Sequence, residues 1–211
     1  MKMEVLAVLN GNPMPKRWNE TIIVLIPKVK NPERINDLCQ ISLCNVLYKL
    51  IAKVLANRLK LILPEIVPGR LITDNVLLAY EMTHMRNKRM GKQGLAALKL
   101  DMSKAYDRVE WSFLESIMKR MGFQNEWINL VMKCVKTVTY KIKVNDEYTE
   151  TFLPRRGLRQ GDPLSPYLFI ICVEGLSALM EDVERRGLIE GVRICHGAPR
   201  INHLFFLLMI R

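Results

Sequence analysis

The sequence lacks the usual signs of a disulfide scaffold, a zinc site or a membrane span. Its five cysteines, at positions 39, 44, 134, 172 and 195, are odd in number and include no Cys-x-x-Cys pair or Cys/His ligand spacing. Reduced, mostly buried thiols in an intracellular compartment are therefore expected. No apolar run approaches the roughly 18 residues of a spanning helix, so no membrane partner is expected. The runs at 167–173 and 204–210 are seven residues each and suit buried helix or strand. The apolar start, from Met1 to Asn10, is too short and too acidic for a signal peptide. Low-complexity stretches are absent and charged residues make up 25%, so most of the chain is expected to be ordered. Acidic residues are in short supply: 21 Asp and Glu stand against 32 Lys and Arg, leaving a net charge of +11.

That imbalance favours an anionic partner, with nucleic acid the obvious candidate. Charge alone leaves a second reading open, a basic soluble surface with no such partner. Across 211 residues, 49% hydrophobic content is enough for one substantial core or two small lobes sharing one.

Thr21 to Ile26 is a β-branched run ended by Pro27, which predicts a buried strand. Residues 28–40 are polar and contain Pro32, as a loop would. Ser42 is placed to cap a helix over about 43–63, whose apolar positions recur at helical spacing. Pro64 and Pro68-Gly69 punctuate the connection beyond that helix. A second helix is expected over 73–88, a loop over 91–94 and a short strand over 95–100 that delivers Asp101. Further helices are expected at 111–121, stopped by Gly122, and at 125–136. Two alternating segments, 139–144 and 147–153, flank Asn145-Asp146 and predict a hairpin. A long helix is expected over 163–186, with Pro near its first turn and Gly187 past its end. Strands at 192–195 and 203–210 are expected to pair. The irregular interleaving suggests an α+β architecture.

Two segments carry chemistry. Asp101 ends a strand, and a strand end fixes a carboxylate better than a loop does. Asp107 lies beyond the turn after it, placed to cap the next helix. The string Leu100-Asp101-Met102-Ser103-Lys104-Ala105-Tyr106-Asp107-Arg108-Val109 resembles the metal-binding motif of non-LTR (LINE-type) retrotransposon reverse transcriptases, the kind abundant in plants. The resemblance implies that Asp101 is catalytic and binds metal through its side chain, and Met102 through its carbonyl. It also implies that Tyr106 lies under the incoming sugar and excludes a 2′-hydroxyl. The string from Arg155 through Gly157-Leu158-Arg159-Gln160-Gly161-Asp162-Pro163 to Pro166 resembles the second palm motif of that family. There, Gln160 and Gly161 would contact the incoming nucleotide and template base, and Arg156 and Arg159 would meet phosphate.

The likeness extends upstream, through Thr21–Lys28, Ile41–Lys49 and Pro68–Asn75. It implies the fingers and palm of a right-handed polymerase: fingers-like over about 1–94, partial palm over about 95–211, without the thumb and the end of the palm. Departures from the family pattern matter. Cys39-Gln40 stands where the family has Arg-Pro, and a Gln-x-Ala-Phe-like stretch before Val67-Pro68-Gly69 is missing. Most important, the third palm motif, an aromatic residue followed by Ala-Asp-Asp, should come directly after His203-Leu204-Phe205; here Phe206 runs straight into Leu207-Leu208-Met209. Mg²⁺ is held by few carboxylates, and nucleotidyl transfer needs two ions about 3.5–4 Å apart. The resemblance thus implies a remnant of an RNA-directed DNA polymerase. The family's partners are RNA template, DNA primer and deoxynucleoside triphosphates, and its cofactor is Mg²⁺, with Mn²⁺ as substitute. This copy is expected to hold metal weakly or not at all and not to polymerise. The alternatives are a non-catalytic nucleic-acid-binding fragment and a decayed element without selected function.

Overall fold

β-Branched residues between Trp18 and Pro27 have little choice but to extend, and strand β1 occupies Glu20–Pro27. The computed structural model describes residues 2–66, 80–81, 84, 102, 104–193, 197 and 200–203. The chain divides into two compact units, residues 1–62 with 104–172, and residues 63–103 with 173–211.

In the first unit, β1 is one of the two inner strands of a four-stranded sheet in the order β2-β1-β3-β4. Strand β2, Leu38–Cys44, runs antiparallel to β1, with Thr21 opposite Cys44 and Leu25 opposite Gln40. This overturns two expectations: the loop does not reach Gln40, and Ser42 is not a helix cap. The cause is an inverted burial pattern. Ser42 (9% exposed) and Cys44 point inward, while Leu43 (49% exposed) points out, so alternation by polarity misreads the strand. Asn45 is the cap instead: its Oδ1 accepts from the Leu47 N–H at 2.9 Å. Helix α1 spans Lys2–Leu9 and α2 spans Val46–Ile66, running through Pro64 rather than ending there. Helix α2 buries Tyr48, Ile51, Ala52, Leu55, Ala56 and Leu59, the i, i+3, i+4, i+7 stripe of a core-facing helix.

Helices α3, Trp111–Arg120, and α4, Asn125–Lys136, form where the apolar period predicts them, with Gly122 at φ +82° between them. Strands β3, Thr139–Val144, and β4, Glu147–Tyr148, make the expected hairpin. Its turn places Asn145 and Asp146 at φ +49° and +66°, the paired positive values of a type I′ turn. Strand β4 is shorter than the predicted 147–153; beyond it the Thr149 N–H donates to the Ile142 carbonyl at 3.0 Å and Phe152 pairs opposite Tyr140. Strand β3 lies parallel to β1, from Glu20 opposite Thr139 to Val24 opposite Lys143. Helix α5 spans Ser165–Arg185 and stops before Gly187 at φ +73°.

In the second unit, Val192 and Ile201 exchange both backbone hydrogen bonds at 2.9 Å, an antiparallel contact. Glu184 ties this hairpin to α5 by accepting from the Gly191 N–H at 2.9 Å and the Asn202 amide at 2.6 Å. Tyr80, Glu81 and His84 are helical, within the expected 73–88 helix. The rest of that helix, the 91–94 loop, the 95–100 strand and the 204–210 strand lie outside the described residues.

Candidate nucleotide-binding site

The two motif strings are stitched together by backbone. Lys104 adopts a left-handed φ of +53° and starts a short 3-10 turn, Ala105–Arg108, closed by the Asp107 N–H on the Lys104 carbonyl at 3.0 Å. Against this turn lies Gly157 at φ +93°. Its N–H donates to the Val109 carbonyl, and the next N–H, of Leu158, donates to the Tyr106 carbonyl, both at 2.8 Å. The Trp111 indole N–H donates to the Gly157 carbonyl at 2.9 Å. A Cβ on Gly157 would sit 3.2 Å from the Asp107 Cα and carbonyl oxygen, so both conformation and close approach demand glycine.

The Tyr106 ring stacks on Phe169 of α5, centroids 4.8 Å apart and planes within 12°. Burial of the phenol raises its pKa from the usual tyrosine value. Asp107 was expected to cap α3 and does not; Glu110 holds that position without a side-chain capping bond. Instead the Asp107 Oδ2 accepts from the Gln40 amide at 2.8 Å. The glutamine that departs from the family's Arg-Pro thereby ties β2 to the first motif.

Gln160 and Gly161 are exposed at the tip of the second motif's turn, with Gly161 at φ +94°. The Gln160 carbonyl accepts from the Ser42 N–H of edge strand β2 at 3.1 Å, and its amide lies 3.7 Å from the Cys39 sulfur. Arg156 is exposed, its side chain 61% open, with one long contact of 3.2 Å to Glu110. Met102 is 54% exposed. Asp101, the expected catalytic and metal-binding carboxylate, lies outside the described residues. Among the described residues no group of His, Cys, Asp or Glu is arranged to hold a metal ion.

Arg159, expected to meet phosphate, is buried. Its side chain and that of Asp162 are each only 4% exposed. The guanidinium donates to the Asn19 Oδ1 at 2.6 Å, the Thr21 hydroxyl at 3.2 Å and the Cys134 carbonyl at 2.9 Å. Its Nε lies 3.4 Å from Asp162, and its plane covers the Tyr48 ring at 3.8 Å. Tyr48 donates its hydroxyl to Asp162 at 2.6 Å, and Asp162 also accepts the Leu164 N–H at 3.1 Å. Asn19 extends the network to the Cys134 carbonyl at 3.0 Å and the Thr137 hydroxyl at 2.8 Å. Burial, then the Asp162 charge, pushes the Tyr48 phenol far above its usual range, and burial pushes the Cys134 thiol up to about 12. Sequence reasoning missed this network because its members lie far apart in the chain. The one local signal was an Arg and an Asp three residues apart around a glycine, and that pattern does not reveal burial.

Comparison with known proteins agrees with the motifs. A family model described as reverse transcriptase (RNA-dependent DNA polymerase) matches residues 26–197. The transposon TX1 uncharacterized 149 kDa protein of Xenopus laevis is 31% identical over 175 residues, covering 79% of this chain and 13% of that protein. A retrovirus-related Pol polyprotein from the type-1 retrotransposable element R2 of Nasonia vitripennis is 30% identical over 200 residues, 91% of this chain and 18% of the polyprotein. The uncharacterized mitochondrial protein AtMg01250 of Arabidopsis thaliana is 58% identical over 53 residues, 25% of this chain and 43% of its own length. The chain thus spans less than half the length of each of these relatives.

Proposed function

This chain belongs to the reverse transcriptase family, in its non-LTR retrotransposon branch, and from that premise we propose that it is a polymerase segment that binds nucleic acid without extending it. The observation that carries the binding half is the docking of the 104–109 turn against Gly157 and Leu158, which leaves Gln160, Gly161 and Arg156 exposed on one chain of net charge +11. In this reading Gln160 and Gly161 face the nucleotide and template base, Tyr106 lies under the sugar, and Arg156 meets phosphate. RNA template, DNA primer and deoxynucleoside triphosphates are the partners. Residues up to about 94 serve as fingers and the remainder as palm.

The inactive half rests on the join after Phe206. Asp101 and the Met102 carbonyl would offer Mg²⁺ or Mn²⁺ one carboxylate, and Phe206 runs straight into Leu207-Leu208-Met209 with no Asp pair. A two-ion clamp needs more than one carboxylate, so the residues present do not fit the full metal centre, and no metal-assisted step is derived for them. Losing several kcal/mol of metal stabilisation slows turnover at least about a thousandfold.

Binding is tested with a fluorescein-labelled RNA–DNA hybrid. Affinity should fall linearly in log Kd against log salt, with little dependence on sequence. No binding at low salt, or binding indifferent to salt, refutes the proposal.

A further inference from the structure

We infer that Arg159 is a positioning residue, the buried anchor that presents Gln160, and not a ligand of phosphate. The inference rests on the reading that Gln160 and Gly161 meet the nucleic acid. Its geometry stands apart from that reading.

Four consecutive residues, Arg159 to Asp162, make the turn. Its first and last side chains point inward and are 4% exposed each, while Gln160 and Gly161 between them face solvent. Arg159 is fixed from several directions at once: by Asn19 and Thr21 flanking the start of β1, by the Tyr48 ring on α2, by the last turn of α4 through the Cys134 carbonyl, and by Asp162. A planar guanidinium meets acceptors in these directions; a lysine ammonium, a compact point charge, does not. With both ends of the turn held, the Gln160 carbonyl meets the Ser42 N–H on the open edge of the sheet. Gln160 is thereby preset before any ligand arrives, and the ordering cost is met by folding instead of binding.

The test uses the full 211-residue chain and substitutions that separate charge from geometry. Amide exchange reads the anchor without any ligand. Arg159→Lys should lower protection of the Ser42 N–H about tenfold, the scale of one hydrogen bond, while amides in the middle of α2 keep theirs. Unchanged Ser42 protection in a folded Arg159→Lys protein overturns the inference. Hybrid binding reads the consequence. Arg156→Gln should reduce the salt slope by about one, as a lost phosphate contact does. Arg159→Lys should leave the slope unchanged and weaken binding as much as Gln160→Ala, with no further loss in the double variant. A preserved affinity in Arg159→Lys, with a slope reduced by about one in Arg159→Gln, would show a phosphate ligand and overturn the inference. If the wild-type chain fails to bind the hybrid, the functional proposal falls and the exchange result alone decides the anchor. Should Arg159→Lys not fold, Thr21→Val, which removes one acceptor, replaces it in both arms with the same expectations.

Discussion

Replacing Asp162 with alanine strands a buried cation. The substitution removes the ion pair at 3.4 Å from Arg159, the acceptor of the Tyr48 hydroxyl at 2.6 Å, and the acceptor of the Leu164 N–H at 3.1 Å. Breaking a buried pair from one side costs about 3–5 kcal/mol, chiefly because a charge is left in low dielectric without its partner. Arg159 keeps Asn19, Thr21, the Cys134 carbonyl and the Tyr48 ring, so the lower end, about 3 kcal/mol, is the expectation. A domain holds only about 5–15 kcal/mol in all, and for this chain length 1 kcal/mol moves Tm by roughly 2–4 °C. Asp162→Ala should therefore melt about 6–12 °C early. The paired change Arg159→Met with Asp162→Leu removes both charges, and buried pairs replaced by apolar residues are often neutral or better; it should regain most of that loss. Thermal melts followed by fluorescence of the three tryptophans measure all the variants. A shift under about 2 °C for Asp162→Ala would mean that water solvates Arg159 in the folded state, and the buried-network argument would fail.

Other outcomes arise from the same geometry. Glu115 accepts from Lys119 and Lys136 at 2.9 and 2.8 Å, which lowers its pKa from 4.5 to about 2. A depressed carboxylate stabilises above its unfolded pKa, so its contribution should be complete above about pH 4.5 and fade as pH falls toward 2. Glu115→Gln should lower Tm slightly at neutral pH, as exposed pairs do, and make much less difference near pH 2; an equal effect at both pH values contradicts the pairing. Burial raises the Cys44 thiol and pushes those of Cys134 and Cys172 up to about 12, whereas Cys39 is half-buried. Brief iodoacetamide treatment of the native chain, mapped by peptide mass, should modify Cys39 ahead of these three. Gly157→Ala combines a positive φ with a 3.2 Å approach to Asp107 and should cost at least about 1–3 kcal/mol. Gly122→Ala, with open space around it, should cost less, and equal urea midpoints for the two would refute the close approach.

Where local chemistry decides structure, the sequence was readable. The bounds of α3, α4 and α5 came from apolar periodicity and the glycines that stop α3 and α5, and the β3–β4 turn from two residues that tolerate positive φ. Strand β2 was not readable, because its inward face carries Ser42 and its outward face Leu43. The close approach of Gly157 to the Asp107 backbone was not readable either, since the two lie fifty residues apart. The burial of Arg159 was not readable for a physical reason: arginine is rarely buried, and its burial here depends on partners brought in from positions 19, 21, 48 and 134 by long-range packing. The parallel pairing of β1 with β3 has the same origin and no local signature.

The central claim, that this chain binds template and primer yet does not extend them, is tested most directly by primer extension. The purified 211-residue chain is incubated with an RNA template, an annealed DNA primer and all four deoxynucleoside triphosphates, with Mg²⁺ or Mn²⁺. No template-dependent product above background is expected. Product that appears, copies the template and is abolished by Asp101→Ala would contradict the account, because it would mean that a working metal centre forms without the Asp pair absent after Phe206.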